Sequence, residues 1–327
     1  MQAWSKHTGA LILVSGLALS AAQAQESVVD FDVWLNGVRT EAAGQGISEN
    51  IIAVALTGIA PIPRVIELDR AQPEFTLTFE QYLDRVVPES RVAKGRQMLA
   101  DNRTLLDEVG AAYGVQPRFI VALWGIETDF GRLTGGFSVV EALATLAYDG
   151  RRSEYFRKEL FCALQILNEE HISPAAMTGS WAGAMGQSQF MPSSFLGYAE
   201  DYDKDGRRDI WTTKADIFAS AANYLANYGW TSDQTWGREA SLPDAFDPAL
   251  IGLEVKRSLA GWQGLGVRRA DGSDLPVREM AGSIVLPDGE GGRAFLVYGN
   301  FETILRWNRS TYFGIAVGRL ADRIAGR

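Results

Sequence analysis

The stretch "WGIETDFG", residues 124–131, places a single carboxylate at the end of the apolar run "FIVALWGI". Pro117 is suited to the first turn of a helix and Gly131 to the residue beyond its end, so the sequence predicts a helix over residues 117–130. An ionised glutamate is rarely buried without a partner. The position of Glu127 in this helix therefore indicates either a residue that turns to solvent or a functional carboxyl group.

The spacing of the apolar residues favours the functional interpretation. Ile120, Leu123, Trp124 and Glu127 follow one another at i, i+3, i+4 and i+7, which places them on one face of the helix. Desolvation on that face would raise the pKa of the Glu127 carboxyl and keep it protonated near neutral pH. Asp129 is two residues further on and points elsewhere, so the two carboxylates do not form a dyad.

Composition restricts the classes of function. The chain has 327 residues, 46 % of them apolar, which is enough for one large or two to three small domains. Its 31 Lys and Arg residues are outnumbered by 40 Asp and Glu residues, which gives a net charge of −9. An acidic chain of this kind argues against nucleic-acid binding and against a polybasic membrane patch.

The first residues are typical of a secretory signal peptide. Lys6 and His7 precede an apolar stretch over residues 10–19, and the small-residue pattern Ala22-Gln23-Ala24 predicts cleavage after residue 24. This apolar stretch is too short for a transmembrane helix, and no later segment is long and apolar enough for one. The leader contains no cysteine that could carry a lipid anchor. We therefore expect export to the bacterial periplasm.

Cysteine and histidine are too scarce for several common chemistries. Cys162 is the only cysteine, so no intramolecular disulfide is possible, and His171 is the only histidine after the leader. A Ser-His-Asp triad, a Cys-His pair or a histidine-rich zinc site would all depend on that one histidine. Carboxylates and neutral hydrogen-bonding groups are the expected carriers of any chemistry.

The pattern along the chain predicts a mainly helical α+β protein. Turn signals at Asp271-Gly272 and Asp288-Gly289 separate short apolar stretches typical of a small antiparallel sheet. The expected divisions are a signal peptide (1–24), a helical domain (25–112), a catalytic core (113–232), a small inserted β domain (233–300) and a C-terminal helix that returns to the core (301–327).

The segment "GSWAGAMGQSQFMPSSF", residues 179–195, has an unusual composition for a core. Its glycines would let backbone approach a ligand, and its serines and glutamines supply neutral donors and acceptors. Trp181, Phe190 and Phe195 add flat apolar faces. Neutral polar groups beside aromatic rings suit a sugar, so we expect a carbohydrate-binding loop, the alternative being an ordinary loop.

Six segments in this order resemble the membrane-bound lytic transglycosylase B family, whose members cleave peptidoglycan. They are "YGVQPRFIVALWGIETDFG", "YDGRRSEYFRKEL", "GSWAGAMGQSQFMPSSF", "DYDKDGRRDIW", "SAANYLANYGW" and "LRWNRSTYF". Each segment is moderately specific, and the six together are highly specific. The resemblance covers the chain from about residue 30 to its end, and it implies a lysozyme-like core with a flanking helical domain and a small β domain.

The resemblance also implies the residues of the site. Glu127 matches the sole catalytic acid and base of the family. The substrate-binding positions of the family match Tyr82, Arg151, Arg152, Ser180, Gln189, Tyr224 and Asn308. Trp307 and Phe313 depart from the pattern, because the family often has tyrosines there. The departure implies that hydroxyl contacts are lost at these two positions while aromatic faces remain.

The activity implied is cleavage of the bond between N-acetylmuramic acid and N-acetylglucosamine in glycan strands, with a 1,6-anhydro product and no organic cofactor. A hydrolytic muramidase would cleave the same bond with water, usually with a second carboxylate. A non-catalytic peptidoglycan-binding protein would keep the fold, although the intact Glu127 argues against it. A plain calcium sensor is the remaining alternative. Residue types alone do not decide between water and the 6-hydroxyl as acceptor.

The segment "DYDKDGRRDIW" resembles an EF-hand loop over residues 201–212. Asp201, Asp203, Asp205 and Asp209 occupy positions 1, 3, 5 and 9 of such a loop. Four carboxylates in nine residues repel one another unless a cation is bound. Position 12 is Thr212 instead of the usual bidentate glutamate, so we expect a weak structural calcium site, and a solvated acidic turn is the alternative.

Overall fold

The computed structural model describes residues 30–71 and 77–326, so the expected signal peptide lies outside the described residues. Helices form most of this part of the chain. They are α1 (Phe31–Gly44), α2 (Glu49–Leu56), α3 (Pro63–Arg70), α4 (Phe79–Val86), α5 (Glu89–Asp101), α6 (Arg103–Tyr113), α7 (Pro117–Thr128), α8 (Val139–Tyr148), α9 (Ser153–Asn168), α10 (Pro192–Tyr198), α11 (Lys214–Asn227), α12 (Leu259–Gly264), α13 (Gly299–Trp307) and α14 (Thr311–Ile324). None of these helices has the length and apolar character that crossing a membrane requires.

The strands form two separate antiparallel sheets. They are β1 (Phe137–Ser138), β2 (Thr178–Gly179), β3 (Gly237–Ser241), β4 (Arg257–Ser258), β5 (Arg268–Arg269), β6 (Ala281–Val285) and β7 (Ala294–Val297). Strands β1 and β2 make a two-stranded ribbon, and the others make a five-stranded sheet in the order β4-β6-β7-β3-β5. The expected class, mainly helical with a small antiparallel sheet, is confirmed.

Helix α7 lies at the centre of the larger core. Its residues from Arg118 to Gly125 are all buried, and α5, α6, α11 and α14 pack against it. The C-terminal helix α14 therefore returns to the core that contains α7. Helices α1–α3 pack instead with α8–α10 in a second core, so the described residues of the expected helical domain, 30–71 and 77–112, contribute to both cores.

The helix that bears Glu127 is shorter than the sequence predicts. It ends at Thr128, because Asp129 and Phe130 adopt left-handed conformations with φ of 51° and 61°. This turn folds the Phe130 ring back against Trp124, with the two rings perpendicular and 5.5 Å apart. Burial of the Phe130 ring favours a conformation that non-glycine residues rarely adopt.

The inserted sheet is buried on both faces. Val285, Phe295 and Val297 belong to the core around α7, whereas Ile284 and Leu296 on the same strands belong to a small core of the insert. Successive residues of a strand point to opposite faces of the sheet. Alternate residues of β6 and β7 therefore pack into two different cores, instead of alternating between one core and solvent. The sheet thereby fixes the position of α13, which directly follows β7.

Candidate active site

Glu127 lies in the last turn of α7, where its side chain is partly buried. Its Oε1 accepts a hydrogen bond of 2.8 Å from Nε1 of Trp307, the last residue of α13. Burial raises the pKa of Glu127 from 4.5 to about 7, and the Trp307 hydrogen bond opposes this shift by favouring the ionised form. A carboxyl group with such a pKa can both donate and accept a proton at neutral pH.

A small cavity lies beside this carboxyl group, where four segments of the chain meet. Helices α7, α11 and α13 line it together with residues 187 and 188, which belong to the glycine-rich loop of residues 179–195. The lining residues are Ile120, Leu123, Trp124, Glu127, Gln187, Ser188, Ile217, Phe218, Ala221 and Trp307. Glu127 is the only ionisable residue among them, so no charge on the wall of the cavity offsets the effect of desolvation on its pKa.

Gln187 fastens the glycine-rich loop to α7. Its Oε1 accepts a hydrogen bond of 2.8 Å from Nε1 of Trp124, and its Nε2 donates to the carbonyl of Trp211 at 2.7 Å. The hydroxyl of Thr128 donates to the Gln187 carbonyl at 3.1 Å. These bonds fix the loop one helical turn from Glu127, so Gln187 has a structural role that its position in the sequence does not reveal.

Ser180 and Gln189 stabilise the same loop. The Ser180 hydroxyl accepts a hydrogen bond from the backbone N–H of Ala184, and Gln189 donates its amide hydrogens to the carbonyls of Thr134 and Gly186 at 3.1 and 2.9 Å. Gln189 has a φ of 47°, in the left-handed region. Its amide group thus joins the loop of residues 179–195 to the segment that contains Thr134.

Tyr224 belongs to an aromatic cluster behind Trp307. Its ring lies 4.9 Å from that of Trp307, and the Phe190 ring lies 5.2 Å from Trp307 on another side. The Tyr224 hydroxyl donates to the carbonyl of Arg306 at 2.7 Å. These contacts hold the end of α13 in place, so the indole N–H of Trp307 is directed at Glu127.

Tyr82 and Asn308 line a second, larger cavity of about 830 Å³. It is bounded by α4, the α13–α14 connection and the β6–β7 hairpin, and Tyr312 and Phe313 contribute to its wall. Asn308 directly follows Trp307 in the chain, so this cavity begins one residue from the hydrogen bond to Glu127. The structure therefore brings two of the predicted substrate residues to the wall of one cavity.

Arg151 and Arg152 lie elsewhere and pair with Asp69 of α3. Arg151 Nε is 3.3 Å from one carboxylate oxygen of Asp69, and Arg152 Nη2 donates to the other oxygen. Asp69 is only 1 % exposed, whereas both arginines are about half exposed. Neither arginine lines the cavity beside Glu127 or the cavity at Tyr82.

His171 and Cys162 take no part in the surroundings of Glu127. His171 contacts Glu169 and Arg208, and its pKa is lowered, mainly by burial and then by the charge of Arg208. Burial raises the pKa of the Cys162 thiol on α9. Neither residue lines the cavity beside Glu127, so the chemistry at that carboxyl does not involve them.

The acidic loop brings three of its four predicted ligands together. Carboxylate oxygens of Asp201, Asp203 and Asp205 lie within 4.8 Å of one another, close enough to share one cation. Asp209 is not in this group, and its carboxylate accepts hydrogen bonds from the backbone N–H groups of Trp211 and Thr212. The Thr212 hydroxyl, which also donates to this carboxylate, and these two backbone groups lower the pKa of Asp209 in spite of its partial burial.

Asp216 connects the two ends of this loop. Its carboxylate oxygens accept hydrogen bonds from the backbone N–H of Tyr202 at 2.8 Å and of Asp209 at 2.7 Å. The residue is fully buried, and desolvation raises its pKa to about 6. Asp216 therefore fixes the shape of the loop from inside through backbone groups.

Comparison with known proteins decides the family. The model of the transglycosylase SLT domain matches residues 30–322. The chain belongs to this family. It is 33 % identical over 251 residues to membrane-bound lytic murein transglycosylase B of Escherichia coli (strain K12), covering 75 % of this chain and 67 % of that protein. The family expected from the six sequence segments is thereby confirmed.

Solved structures of other SLT transglycosylases have the same fold. SltB3 from Pseudomonas aeruginosa in complex with NAG-anhNAM-pentapeptide superposes with a TM-score of 0.89 at 43 % identity, covering 91 % of this chain and 80 % of that one. Slt35 from Escherichia coli in complex with calcium gives a TM-score of 0.77 at 28 % identity, covering 89 % and 92 %. The expected lysozyme-like, mainly helical architecture and the enzyme class, a peptidoglycan lytic transglycosylase, are therefore established for this chain.

Proposed function

We propose that this transglycosylase cleaves the β-1,4 bond between N-acetylmuramic acid and N-acetylglucosamine and forms 1,6-anhydromuramoyl ends. The observation that carries the proposal is the isolated Glu127 carboxyl, which has a pKa of about 7 and no second carboxylate among the residues lining its cavity. A hydrolase of this kind usually places two carboxylates across the bond. A single carboxyl group that changes its protonation state fits an internal acceptor.

In the first step, protonated Glu127 donates its proton to the glycosidic oxygen, and the bond from that oxygen to the anomeric carbon of the muramoyl residue breaks. The leaving sugar departs as a neutral alcohol. We assign to the 2-acetamido group of the substrate the stabilisation of the anomeric centre during this step. Glu127 is left as a carboxylate, which the hydrogen bond from Trp307 Nε1 stabilises.

In the second step, the Glu127 carboxylate accepts the proton of the muramoyl 6-hydroxyl while that oxygen attacks the anomeric carbon. The new bond closes the 1,6-anhydro ring, no water is consumed, and Glu127 is again protonated. Intramolecular attack benefits from proximity, which offsets the weak nucleophilicity of an alcohol. A pKa near 7 suits both steps, because the same group must release and regain one proton.

The products distinguish this reaction from hydrolysis. Purified sacculi treated with the enzyme should release muropeptides that mass spectrometry finds lighter by one water than those from a hydrolytic muramidase. The complex of SltB3 with NAG-anhNAM-pentapeptide supports an anhydro product. Reducing muropeptides as the sole products would replace the proposal by muramidase activity, and absence of any release would leave a peptidoglycan-binding protein.

For substrate binding, we propose that glycan strands occupy the cavity of Tyr82 and Asn308. The neutral groups of Ser180 and Gln189 lie on the loop attached to α7 and are assigned to the sugars near Glu127. Tyr224 contributes through its packing against Trp307. Arg151 and Arg152, which lie apart from both cavities, are assigned to a more distant part of the polymer; their partial exposure leaves them accessible to an anionic group.

The Trp307 hydrogen bond gives a prediction about pH. Because Glu127 must be protonated in the first step, wild-type turnover should fall as pH rises through about 7. Trp307→Phe removes a donor that favours the carboxylate, so the pKa of Glu127 should rise. The fall in turnover should then occur at a pH about one unit higher than in the wild type. The pH dependence of kcat on sacculi tests this. An unchanged limb would show that the hydrogen bond does not act on the titrating group.

We also propose that Asp201, Asp203 and Asp205 bind a structural calcium ion, with no organic cofactor required. The three carboxylates converge from alternate positions of an EF-hand-like loop, which fits a hard cation with oxygen ligands. The calcium complex of Slt35 supports the assignment. Asp209 is the fourth ligand that the sequence predicts; its bonds to Trp211 and Thr212 would have to change for its carboxylate to reach the ion.

Calcium should therefore stabilise the folded protein by about 2.7 kcal/mol at one hundred times its dissociation constant. Magnesium should substitute poorly, because it requires a small octahedral site. Thermal melts in calcium, magnesium and chelator test this. Asp203→Asn combined with Asp205→Asn should remove the calcium effect without destabilising the metal-free protein, since charge repulsion is relieved. Equal wild-type melting temperatures in millimolar calcium and in chelator would leave only a solvated acidic turn.

The location proposed for this activity is the periplasm, where peptidoglycan is accessible. The support is the leader sequence over residues 1–24 and the family to which the chain belongs. Sequencing the amino terminus of the mature protein from a periplasmic extract tests the predicted cleavage after Ala24.

A further inference from the structure

Ser188 carries a buried hydroxyl group without a hydrogen-bond partner. The residue is 3 % exposed, and its Oγ is one of four buried side-chain atoms in the described part of the chain that have no partner. Buried hydroxyl groups nearly always form a hydrogen bond, because leaving one unsatisfied is costly. The reaction steps proposed for Glu127 make no use of this group.

Ser188 lines the same small cavity as Glu127. The space that the centre of a water molecule can occupy there is about 10 Å³, roughly what one water requires. Apolar cavities remain dry, whereas a buried water needs at least two polar partners. Ser188 and Glu127 both line this cavity, and each carries a polar group that can serve as such a partner.

The other polar groups on this wall are already engaged. The Gln187 side-chain amide accepts a hydrogen bond from the indole N–H of Trp124 and donates one to the carbonyl of Trp211. The indole N–H of Trp124 is therefore also engaged. The indole N–H of Trp307 donates to Glu127. A molecule in the cavity would therefore interact chiefly with Ser188 and with the carboxyl group.

We propose that Ser188 is a positioning residue that binds one water molecule, and that this water hydrogen-bonds to the carboxyl group of Glu127. The proposal rests on the assigned role of Glu127 as acid and base. The water accepts a hydrogen bond from the Ser188 hydroxyl and donates one to the Glu127 carboxyl group. The carboxyl group thus receives two hydrogen bonds, one from the water and one from Trp307. No proton is transferred to the water. Its effect is to fix the orientation of Glu127 and to stabilise the carboxylate between the two steps.

No charged residue besides Glu127 lines this cavity. Helices α7, α11 and α13 and the glycine-rich loop contribute no ionisable residue to the cavity besides Glu127. Asp129 is paired with Lys94 and Arg132, and the Tyr224 hydroxyl, which lies behind Trp307, donates to the Arg306 carbonyl. A change in the titration of Glu127 caused by substitution at Ser188 would therefore reflect the hydrogen bond.

The indole N–H of Trp307 offers a reporter that does not depend on catalysis. Because this group donates to Glu127, its ¹⁵N–¹H resonance should shift as the carboxyl group titrates with a midpoint of about 7. The resonance is assigned with Trp307→Phe, and its titration should disappear in Glu127→Gln. If Glu127→Gln retained full activity, the proposed function would fail while this titration could still be measured.

Ser188→Ala should raise the midpoint of the Trp307 titration by about one pH unit, since a donor to the carboxylate is lost. It should lower kcat about tenfold with little change in KM. Ser283→Ala serves as the control, because Ser283 is equally buried but lies in the β domain, where it bonds to Leu253. Thermal melts establish that both variants fold.

A high-resolution crystal structure of the wild-type protein completes the test. We expect an ordered water within about 3.2 Å of both Ser188 Oγ and a carboxylate oxygen of Glu127, and its loss in Ser188→Ala. A dry cavity in the wild-type crystal would overturn the proposal. So would a Trp307 titration in Ser188→Ala with the wild-type midpoint, or a shift of the same size in Ser283→Ala.

Discussion

Glu127→Gln is expected to reduce muropeptide release from purified sacculi by on the order of 100- to 10,000-fold, the usual contribution of general acid–base catalysis. The amide has nearly the same shape as the carboxyl group and can still accept the hydrogen bond from Trp307. It has no proton to donate to the glycosidic oxygen. Binding of glycan strands should be retained, and a sedimentation assay with sacculi would measure it.

The matched control is Glu67→Gln. Glu67 lies on α3, its side chain is 62 % exposed, and its ion pair with Arg64 is a surface contact. This variant should release muropeptides at the wild-type rate. Activity of Glu127→Gln within a few-fold of wild type would exclude Glu127 as the acid.

The same substitution should stabilise the protein above neutral pH. The pKa of Glu127 is raised to about 7 in the folded protein, so between the unfolded value and 7 the folded state binds more protons than the unfolded state. Wild-type stability attributable to this group therefore falls as pH rises through that window. Glutamine does not ionise, so above pH 7 the variant should be more stable by up to about 3 kcal/mol.

Urea denaturation at pH 5 and pH 8 measures this effect. The difference between Glu127→Gln and wild type should be small at pH 5 and favour the variant at pH 8. An active site that costs stability is a common result of burying a group needed for chemistry. Equal stability of the two proteins at both pH values would show that the carboxyl group is not desolvated in solution.

The sequence predicts α7 and its buried carboxyl group because the information is local. The spacing of Ile120, Leu123, Trp124 and Glu127 defines one helical face, and burial of that face raises the pKa as expected. The helix end is less predictable. Phe130 adopts a left-handed conformation because its ring packs against Trp124, and this tertiary contact is not visible in the local pattern.

The groups around Glu127 could not be predicted, because they come from distant parts of the chain. Trp307 is 180 residues away from Glu127 in sequence. The sequence predicts only an aromatic face at this position, whereas in the structure its indole N–H bonds to the carboxyl group. Likewise, the string of neutral residues in the loop does not distinguish Gln187, which fastens the loop to α7, from Ser188, which lines the cavity.

The acidic loop illustrates the same limit within a short segment. Spacing alone places Asp209 at an EF-hand ligand position, and it gives Asp216 no definite part. In the structure the backbone N–H groups of Trp211 and Thr212 bind the Asp209 carboxylate, and Asp216 bonds to the backbone at both ends of the loop. Which carboxylates converge therefore depends on how the backbone of the loop is folded, and sequence spacing does not show this fold.

Gly135, which lies outside the segment 179–195, brings two segments of the chain near α7 together. Its lack of a side chain lets the backbone around it approach Gly179 closely. Its φ is +93°, and a Cβ atom there would lie 2.1 Å from the carbonyl oxygen of Gly179. Gly179 belongs to β2, which pairs with β1, so this contact fixes the ribbon that supports the glycine-rich loop.

Gly135→Ala should therefore destabilise the protein by at least about 3 kcal/mol, from backbone strain and from a clash with main chain that no rotamer change can relieve. Gly136→Ala is the matched control, since the adjacent glycine has no positive φ and no atom lies within 4 Å of the position that its new methyl group would occupy. Thermal and urea unfolding should separate the two variants clearly.

Because the ribbon positions Gln189 through the Thr134 carbonyl, the folded fraction of Gly135→Ala should also lose turnover, whereas Gly136→Ala should retain it. Equal stability of the two alanine variants would mean that the two loops do not approach as closely in solution.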